Sequence, residues 1–537
     1  MASEHTKATG TEESTPETEL KTFSKGRKVI VVCCNVVMTL FCLGLNIGIW
    51  PLLENLRAFF EEYHYHREIM DIKWAAYLNV LMVGLSAPLA SWLMNRKHLY
   101  RIRIIAMSGA LLSTIGVFVS GFAKSVEFLC VSYGVIAGSG FGLVLTAGLG
   151  LISMCFPKHG STFANAIAFT GSSIGVLIFP PIIYAAADTY GTRPVFFVLA
   201  CLNFQMVVAA ALFPAVDSTA TAEWGICERI GRFRKDVFCR IPLLGTIALA
   251  TFFVGFGYNV TLLHLRQFVV WNGSSEAESS SVFIVCGVFL VIGQVFHGSL
   301  SVFKKFGDDN DTTYRLFMFG VFSLVAGVVA LTGSEAETFA GHMAVGALIG
   351  LGGGIYMPLV FGLAKHATSG SKWMLTDELA ICLPMYGLGA FIGLIIGDVT
   401  NKELHNGNTS FFLAGASLLI VAMMTSLRCL MKLRSLCKQA KVSAAESRPT
   451  PQSSPGQSSE TALQTSTPAD RQRSVHVHIT VNNPRNVNVI NAQGTQLTAG
   501  RPLLEIGDRP DVNLRQLPSG DNDSRPRVQR RAMSLMQ

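Results

Sequence analysis

Twelve strongly apolar stretches, each near the length of one bilayer crossing, occupy this chain between Val29 and Leu430. A spanning helix needs about 20 apolar residues, because the hydrocarbon core is about 30 Å thick and a helix rises about 1.5 Å per residue. Lipid offers no partner for a backbone N–H or C=O, so each stretch must close its hydrogen bonds internally as a helix. The expected fold class is an all-α integral membrane protein with twelve transmembrane helices. Only 15% of the 537 residues are charged, against about 25% in a soluble chain. These charges gather at the two ends of the chain and in the loops, so the net charge of +8 reflects loop placement and does not indicate a nucleic-acid partner.

The spans run approximately over 29–50, 75–94, 102–122, 127–150, 162–187 and 194–214, then 243–265, 280–302, 314–333, 339–363, 376–398 and 410–430. A polar connector with Arg229, Arg232, Arg234, Lys235 and Arg240 separates the two sets. The expected organisation is a disordered N-terminus 1–28, a six-helix half 29–214, the connector 215–242, a second half 243–430 and a tail 431–537. Past about residue 440, Ser, Thr, Pro, Gln and Asn dominate. Such a segment cannot bury enough apolar area to offset the entropy of ordering, so the tail is expected to be disordered. Six spans, a basic connector and six more resemble the layout of the major facilitator superfamily. The resemblance implies two six-helix halves with a substrate site between them near the midplane.

Basic residues concentrate in alternate loops: Arg96, Lys97, Arg101 and Arg103, then the connector, Lys304 and Lys305, Lys365 and Lys372, and Arg428 to Lys438. The intervening loops carry Glu61, Glu62, Glu127, Asp188, Glu276 and Glu335. The positive-inside rule then makes both termini cytoplasmic, and a plasma-membrane location is expected. Asn272 and Asn408 open Asn-x-Ser sequons in outer loops and are candidate glycosylation sites.

The most specific pattern lies in the fourth and fifth spans. Gly138-Ser-Gly-Phe-Gly is a small-residue stripe that lets helices approach closely. After it comes Cys155-Phe-Pro-Lys-His-Gly-Ser-Thr-Phe-Ala-Asn-Ala-Ile-Ala-Phe-Thr-Gly-Ser. This run is similar to the monocarboxylate transporter family, whose segment reads Tyr-Phe-x-Lys-Arg-Arg-x-Leu-Ala-x-Gly-x-Ala-x-Ala-Gly-Ser. Phe156, Lys158, Ala164, Ala168, Gly171 and Ser172 match, with one extra loop residue. The resemblance covers roughly residues 29–430 and implies structural roles for Phe156, Lys158, Ala164, Asn165, Gly171 and Ser172. It further implies a transporter of a small organic solute set in the lipid bilayer, not an enzyme, and allows a single-span chaperone protein as partner. No cofactor and no metal are expected.

Departures from the family bear directly on function. Its proton-linked members have a Lys soon after a Phe-Pro in the first helix, whereas here Trp50-Pro51 is followed by Leu52 and Leu53. They also have an Asp and an Arg one turn apart in the eighth helix. The resemblance places Leu290 at the Asp position and Gln294 at the Arg position. An Arg can clamp a carboxylate bidentately and an Asp beside it can carry a proton; Leu290 and Gln294 can do neither.

Polar groups inside spans are costly and usually face the bundle interior. On that ground the candidate substrate-binding residues are Asn46, Tyr258, Asn259, Gln294, His297, Tyr356 and Tyr386. Gln294 and His297 share a helix face. Tyr356 precedes Pro358, where the glycines before it allow a break in the tenth helix. Glu54 is the candidate coupling residue, and His264 is expected at the outer interface. The expected function is alternating-access transport of a small organic solute, by facilitated diffusion in place of proton symport. The alternative is a transporter-fold sensor or scaffold acting through its tail.

Overall fold

The computed structural model describes residues 24–50, 52–53, 72–94, 101–156, 160–214, 242–300, 308–336, 338–368 and 377–446. Among these, eleven helices are long and apolar enough to cross a membrane. They are α1 (Lys25–Gly48), α2 (Lys73–Met94), α3 (Ile102–Ser120), α4 (Val126–Cys155), α5 (Ser161–Tyr190), α7 (Leu243–Trp271), α8 (Glu276–Leu300), α9 (Thr312–Glu335), α10 (Phe339–Lys365), α11 (Asp377–Glu403) and α12 (Thr409–Ser435). The sixth place belongs to a shorter apolar helix, α6 (Val195–Ala211), interrupted by a turn at Phe204.

Several ends differ from the sequence expectation. The first helix starts at Lys25, and α7 and α11 run past residues 265 and 398 to Trp271 and Glu403. The last helix continues to Glu446, so the segment expected to start a disordered tail at residue 431 is helical at first. Helices reach beyond the apolar core because polar residues at their ends still satisfy the backbone internally. The expected connector 215–241 and the tail beyond Glu446 lie outside the described residues.

The same packing recurs in each half. In the first, α1 lies along α5, α2 along α4, and α3 along α6; in the second, α7 lies along α11, α8 along α10, and α9 along α12. The halves meet through α2 against α11 and α5 against α8. These two contacts exchange under the same six-helix offset. The α1 start and α12 end share one face of the bundle, here the terminal face; the opposite one is the far face.

With lipid outside, no hydrophobic force drives helices together, and close approach of small residues takes its place. Gly44 of α1 and Gly175 of α5 face each other so tightly that a Cβ on either would come within 2.7 Å of the other's Cα. One turn away, a Cβ on Gly171 would collide with the Val36 carbonyl oxygen, so the family-motif glycine is a helix-crossing residue. Gly171→Leu is expected to force α1 from α5 and cost about 1–3 kcal/mol. It should lower the melting temperature in detergent by several degrees, and an unchanged melting temperature would contradict the crossing.

Candidate functional site

A cavity of about 50 Å³ lies between the halves, room on the order of three or four waters. Its polar lining is Asn46 and Ser172 from the first half, with Tyr258, Asn259, Gln294 and Tyr386 from the second. Leu43, Val83, Leu145, Phe169, Met357 and Phe361 supply apolar wall, and among the described residues no charged side chain lines it. The lining comes from α1, α2, α4 and α5 on one side and α7, α8, α10 and α11 on the other. Both halves therefore touch whatever occupies it.

Several of these polar groups are oriented by hydrogen bonds. Asn259 Nδ2 donates to the Gly255 carbonyl at 2.8 Å and to the Tyr386 hydroxyl at 2.8 Å. Ser173 Oγ on α5 donates to Gln294 Oε1 on α8 at 2.9 Å, a bond across the two halves. Asn46 Nδ2 donates to Asn79 Oδ1 at 2.7 Å, and Asn79 Nδ2 donates to the Tyr133 carbonyl at 2.7 Å. Two π-helical segments, Leu40–Gly44 and Cys130–Ala137, lie beside this chain of bonds. Such bulges rotate the residues that follow, which is how they come to mark functional sites.

Of the residues marked in the sequence, the structure brings Asn46, Tyr258, Asn259, Gln294 and Tyr386 together at this cavity, and Ser172 joins them. Tyr356 and His297 are buried elsewhere. The Tyr356 hydroxyl donates to the Phe322 carbonyl on α9 at 3.1 Å, while its ring backs Tyr258 edge-on at 6.2 Å. Pro358 does not break α10, which is one continuous helix from Phe339 to Thr368. Ala164 and Asn165 are buried in α5, and the Phe156 carbonyl ends α4. Glu54 and Lys158 lie outside the described residues. Asn272 and Asn408 form a reciprocal amide pair, at 2.8 and 3.2 Å, so a glycan on either nitrogen would have to part them.

One expectation is corrected. His264 is not exposed at the outer end of α7; it is 4% exposed, packed over Gly397, with Asn401 Nδ2 3.3 Å from its Nδ1. The helices α7 and α11 extend past the expected span ends there and cover the ring.

Contacts between the halves close the cavity on both sides. Toward the far face, Lys73 of α2 pairs with Asp398 of α11 at 2.7 Å, and Lys402 meets the other carboxylate oxygen at 3.0 Å. Beneath this pair Trp74 packs edge-on against Phe391, with ring centroids 6.0 Å apart. Toward the terminal face, Phe169 of α5 stacks on Phe361 of α10, centroids 5.6 Å apart. Beyond that stack, Arg315 Nη1 donates to Thr162 at 2.7 Å, and Lys365 Nζ donates to the Phe156 carbonyl at 3.2 Å. Lys365 thus caps the C-terminal end of α4 from the other half, where a cation is favoured by the helix dipole. Sequence reasoning did not mark Asn79, Lys73, Asp398 or the Phe169–Phe361 stack.

Among the described residues, no group of His, Cys, Asp and Glu could hold a metal ion. The sequence model of the Major Facilitator Superfamily matches residues 32–372. Monocarboxylate transporter 11 of Mus musculus is 26% identical over 374 residues, which cover 66% of this chain and 78% of that protein. Monocarboxylate transporter 13 of Rattus norvegicus is 24% identical over 376 residues, covering 69% and 83%. Among solved structures, the transporter FucP in the outward conformation superposes with a TM-score of 0.55 at 16% identity, covering 74% of this chain and 99% of that one. The proton:xylose symporter XylE bound to 6-bromo-6-deoxy-D-glucose gives 0.58 at 13% identity, covering 75% and 95%. At these identities the structures establish a shared fold.

Proposed function

Because this chain belongs to the major facilitator superfamily, we propose that it is a secondary transporter carrying a small neutral or zwitterionic organic solute by alternating access. The observation that carries this reading is the cavity wall, where the described residues offer both halves' polar side chains and no charge. Leu290 is buried and Gln294 lines the cavity, where the resemblance to proton-linked monocarboxylate transporters would place an Asp and an Arg. Gln294 hydrogen-bonds but cannot neutralise an anion, and Leu290 holds no proton, so the mechanism is facilitated diffusion. The far face is extracellular, the terminal face cytoplasmic, and the membrane the plasma membrane. Opening to the outside then requires the Lys73–Asp398 pair to part, and opening to the inside requires Phe169 and Phe361 to separate. The two cannot open together without joining both solutions.

The test is uptake into proteoliposomes of lactate, pyruvate, aromatic amino acids, creatine-like zwitterions and larger organic acids, with and without an inward proton gradient. Saturable uptake of a neutral or zwitterionic solute, unchanged by the gradient, is expected. Gradient-driven accumulation of lactate or pyruvate would overturn the facilitated-diffusion reading.

A further inference from the structure

An asparagine's oxygen and nitrogen are told apart by their partners. The Tyr133 carbonyl can only accept, so the group of Asn79 that meets it at 2.7 Å must be Nδ2. That turns Asn79 Oδ1 toward α1, so the group of Asn46 meeting it at 2.7 Å must again be a donor, Nδ2. Asn46 Oδ1 is left over. It is buried, it has no hydrogen-bond partner among the described residues, and its side chain lines the cavity. A backbone carbonyl two helices away thus fixes Oδ1 as the unpaired end of the Asn46 amide.

The same logic fixes an opposite pole. The Gly255 carbonyl holds Asn259 Nδ2 as a donor, and that nitrogen also donates to the Tyr386 hydroxyl oxygen. Tyr386 accepts there, so its own O–H proton is left to donate elsewhere. Tyr258 also lines the cavity, and its hydroxyl is able to donate. The first half thus presents an unpaired acceptor, and the second half the Tyr386 hydroxyl proton beside the Asn259 amide oxygen.

We infer that the solute must carry a hydrogen-bond donor, received by Asn46 Oδ1, as well as an acceptor that the Tyr386 and Tyr258 hydroxyls engage. Asn79 is the positioning residue that imposes this polarity. The chemical class is an amino acid or a neutral amide-bearing solute; fully N-alkylated amides and zwitterions, which have acceptors and no donor, are disfavoured. This inference rests on the transporter reading above. A site that leaves a buried acceptor unpaired discriminates strongly against the analogue lacking the donor.

The experiment measures initial uptake by the full chain in proteoliposomes for two pairs: acetamide against N,N-dimethylacetamide, and glycine against trimethylglycine. The donor-bearing member of each pair should be favoured by about five- to a hundredfold. Asn46→Leu should bring the ratio toward one while uptake of N,N-dimethylacetamide and trimethylglycine stays at its wild-type level, which also shows that the variant folds. Asn79→Leu leaves the Asn46 amide free to turn and should relax the same ratio, an effect that a purely structural role for Asn79 would not produce. Wild-type uptake with equal rates within both pairs would overturn this inference and leave the transporter reading standing. So would a ratio that survives Asn46→Leu, since molecular size would then explain it. No saturable uptake of any of the four probes would count against the transporter reading and the inference together.

Discussion

Asp398→Asn is expected to open the far face and raise the labelling of residues beneath it about tenfold. Asp398 is 12% exposed and neutralises Lys73 across the halves, with Lys402 on its own helix. With the carboxylate gone, the two ammonium groups lose the negative charge that lies between them. Removing one partner of a fully buried pair costs about 3–5 kcal/mol; with Lys73 at 16% exposure, solvent screening brings the cost nearer 1–3 kcal/mol. That cost falls on one conformation, because Lys73 and Asp398 meet only when α2 and α11 are together at the far face. A change of that size moves a two-state population about five- to a hundredfold. The readout is a cysteine at Leu394, which is fully buried in the cluster formed with Tyr77, Val260 and Ala414. It is labelled by a membrane-impermeant thiol reagent from the far face, against the parent chain. The reciprocal exchange, Lys73→Asp with Asp398→Lys, should return labelling toward the wild-type rate. Labelling that ignores Asp398→Asn would mean that packing of Trp74, Tyr77 and Phe391 holds this face without the ion pair.

The fold was legible because its determinants are local. Every span declares itself by a run of apolar residues long enough for one crossing, and the small-residue runs around Gly138 and Gly171 mark close helix crossings. The cavity was partly legible for the same reason: Asn46, Asn259 and Gln294 are amides in apolar surroundings, and such groups must face inward. Asn79 carries that signal too, and the rule that selected Asn46 also selects it. The far-face ion pair was not legible. Lys73 and Asp398 lie at span ends, where a charge ordinarily meets water, and their partnership spans 325 residues of sequence. Only the way α2 and α11 cross brings them together. The burial of His264 was not legible for a related reason: a histidine near a span end looks exposed unless the neighbouring helices are known to continue past it. Tyr356 shows the converse, an aromatic with the right composition and depth whose hydroxyl turns to α9.

Leu290→Asp is expected to cost at least about 3 kcal/mol and to empty the membrane of folded protein. Leu290 is 1% exposed, and α10 lies so close that a Cβ on Gly354 would collide with the Leu290 carbonyl oxygen. A carboxylate there cannot reach water, and Gln294 one turn on offers no charge. The second change, Gln294→Arg, supplies the missing cation four residues away on the same helix face. It has room to extend, because Gln294 already lines the cavity of about 50 Å³. The double variant should therefore recover folded protein, read as the monodisperse peak of detergent-extracted material, while Leu290→Asp alone does not. If transport chemistry follows the pair, the double variant gains pyruvate uptake driven by an inward proton gradient: the new Asp carries the proton and the new Arg clamps the carboxylate. The donor requirement set by Asn46 should weaken in parallel, since a full charge on α8 outweighs one unpaired amide oxygen on α1. Leu290→Asp folding as well as wild type would mean that water reaches this position and that the apolar wall between α8 and α10 is not closed. A double variant that folds without any gradient-driven uptake would show that the absence of proton coupling has a cause beyond these two side chains.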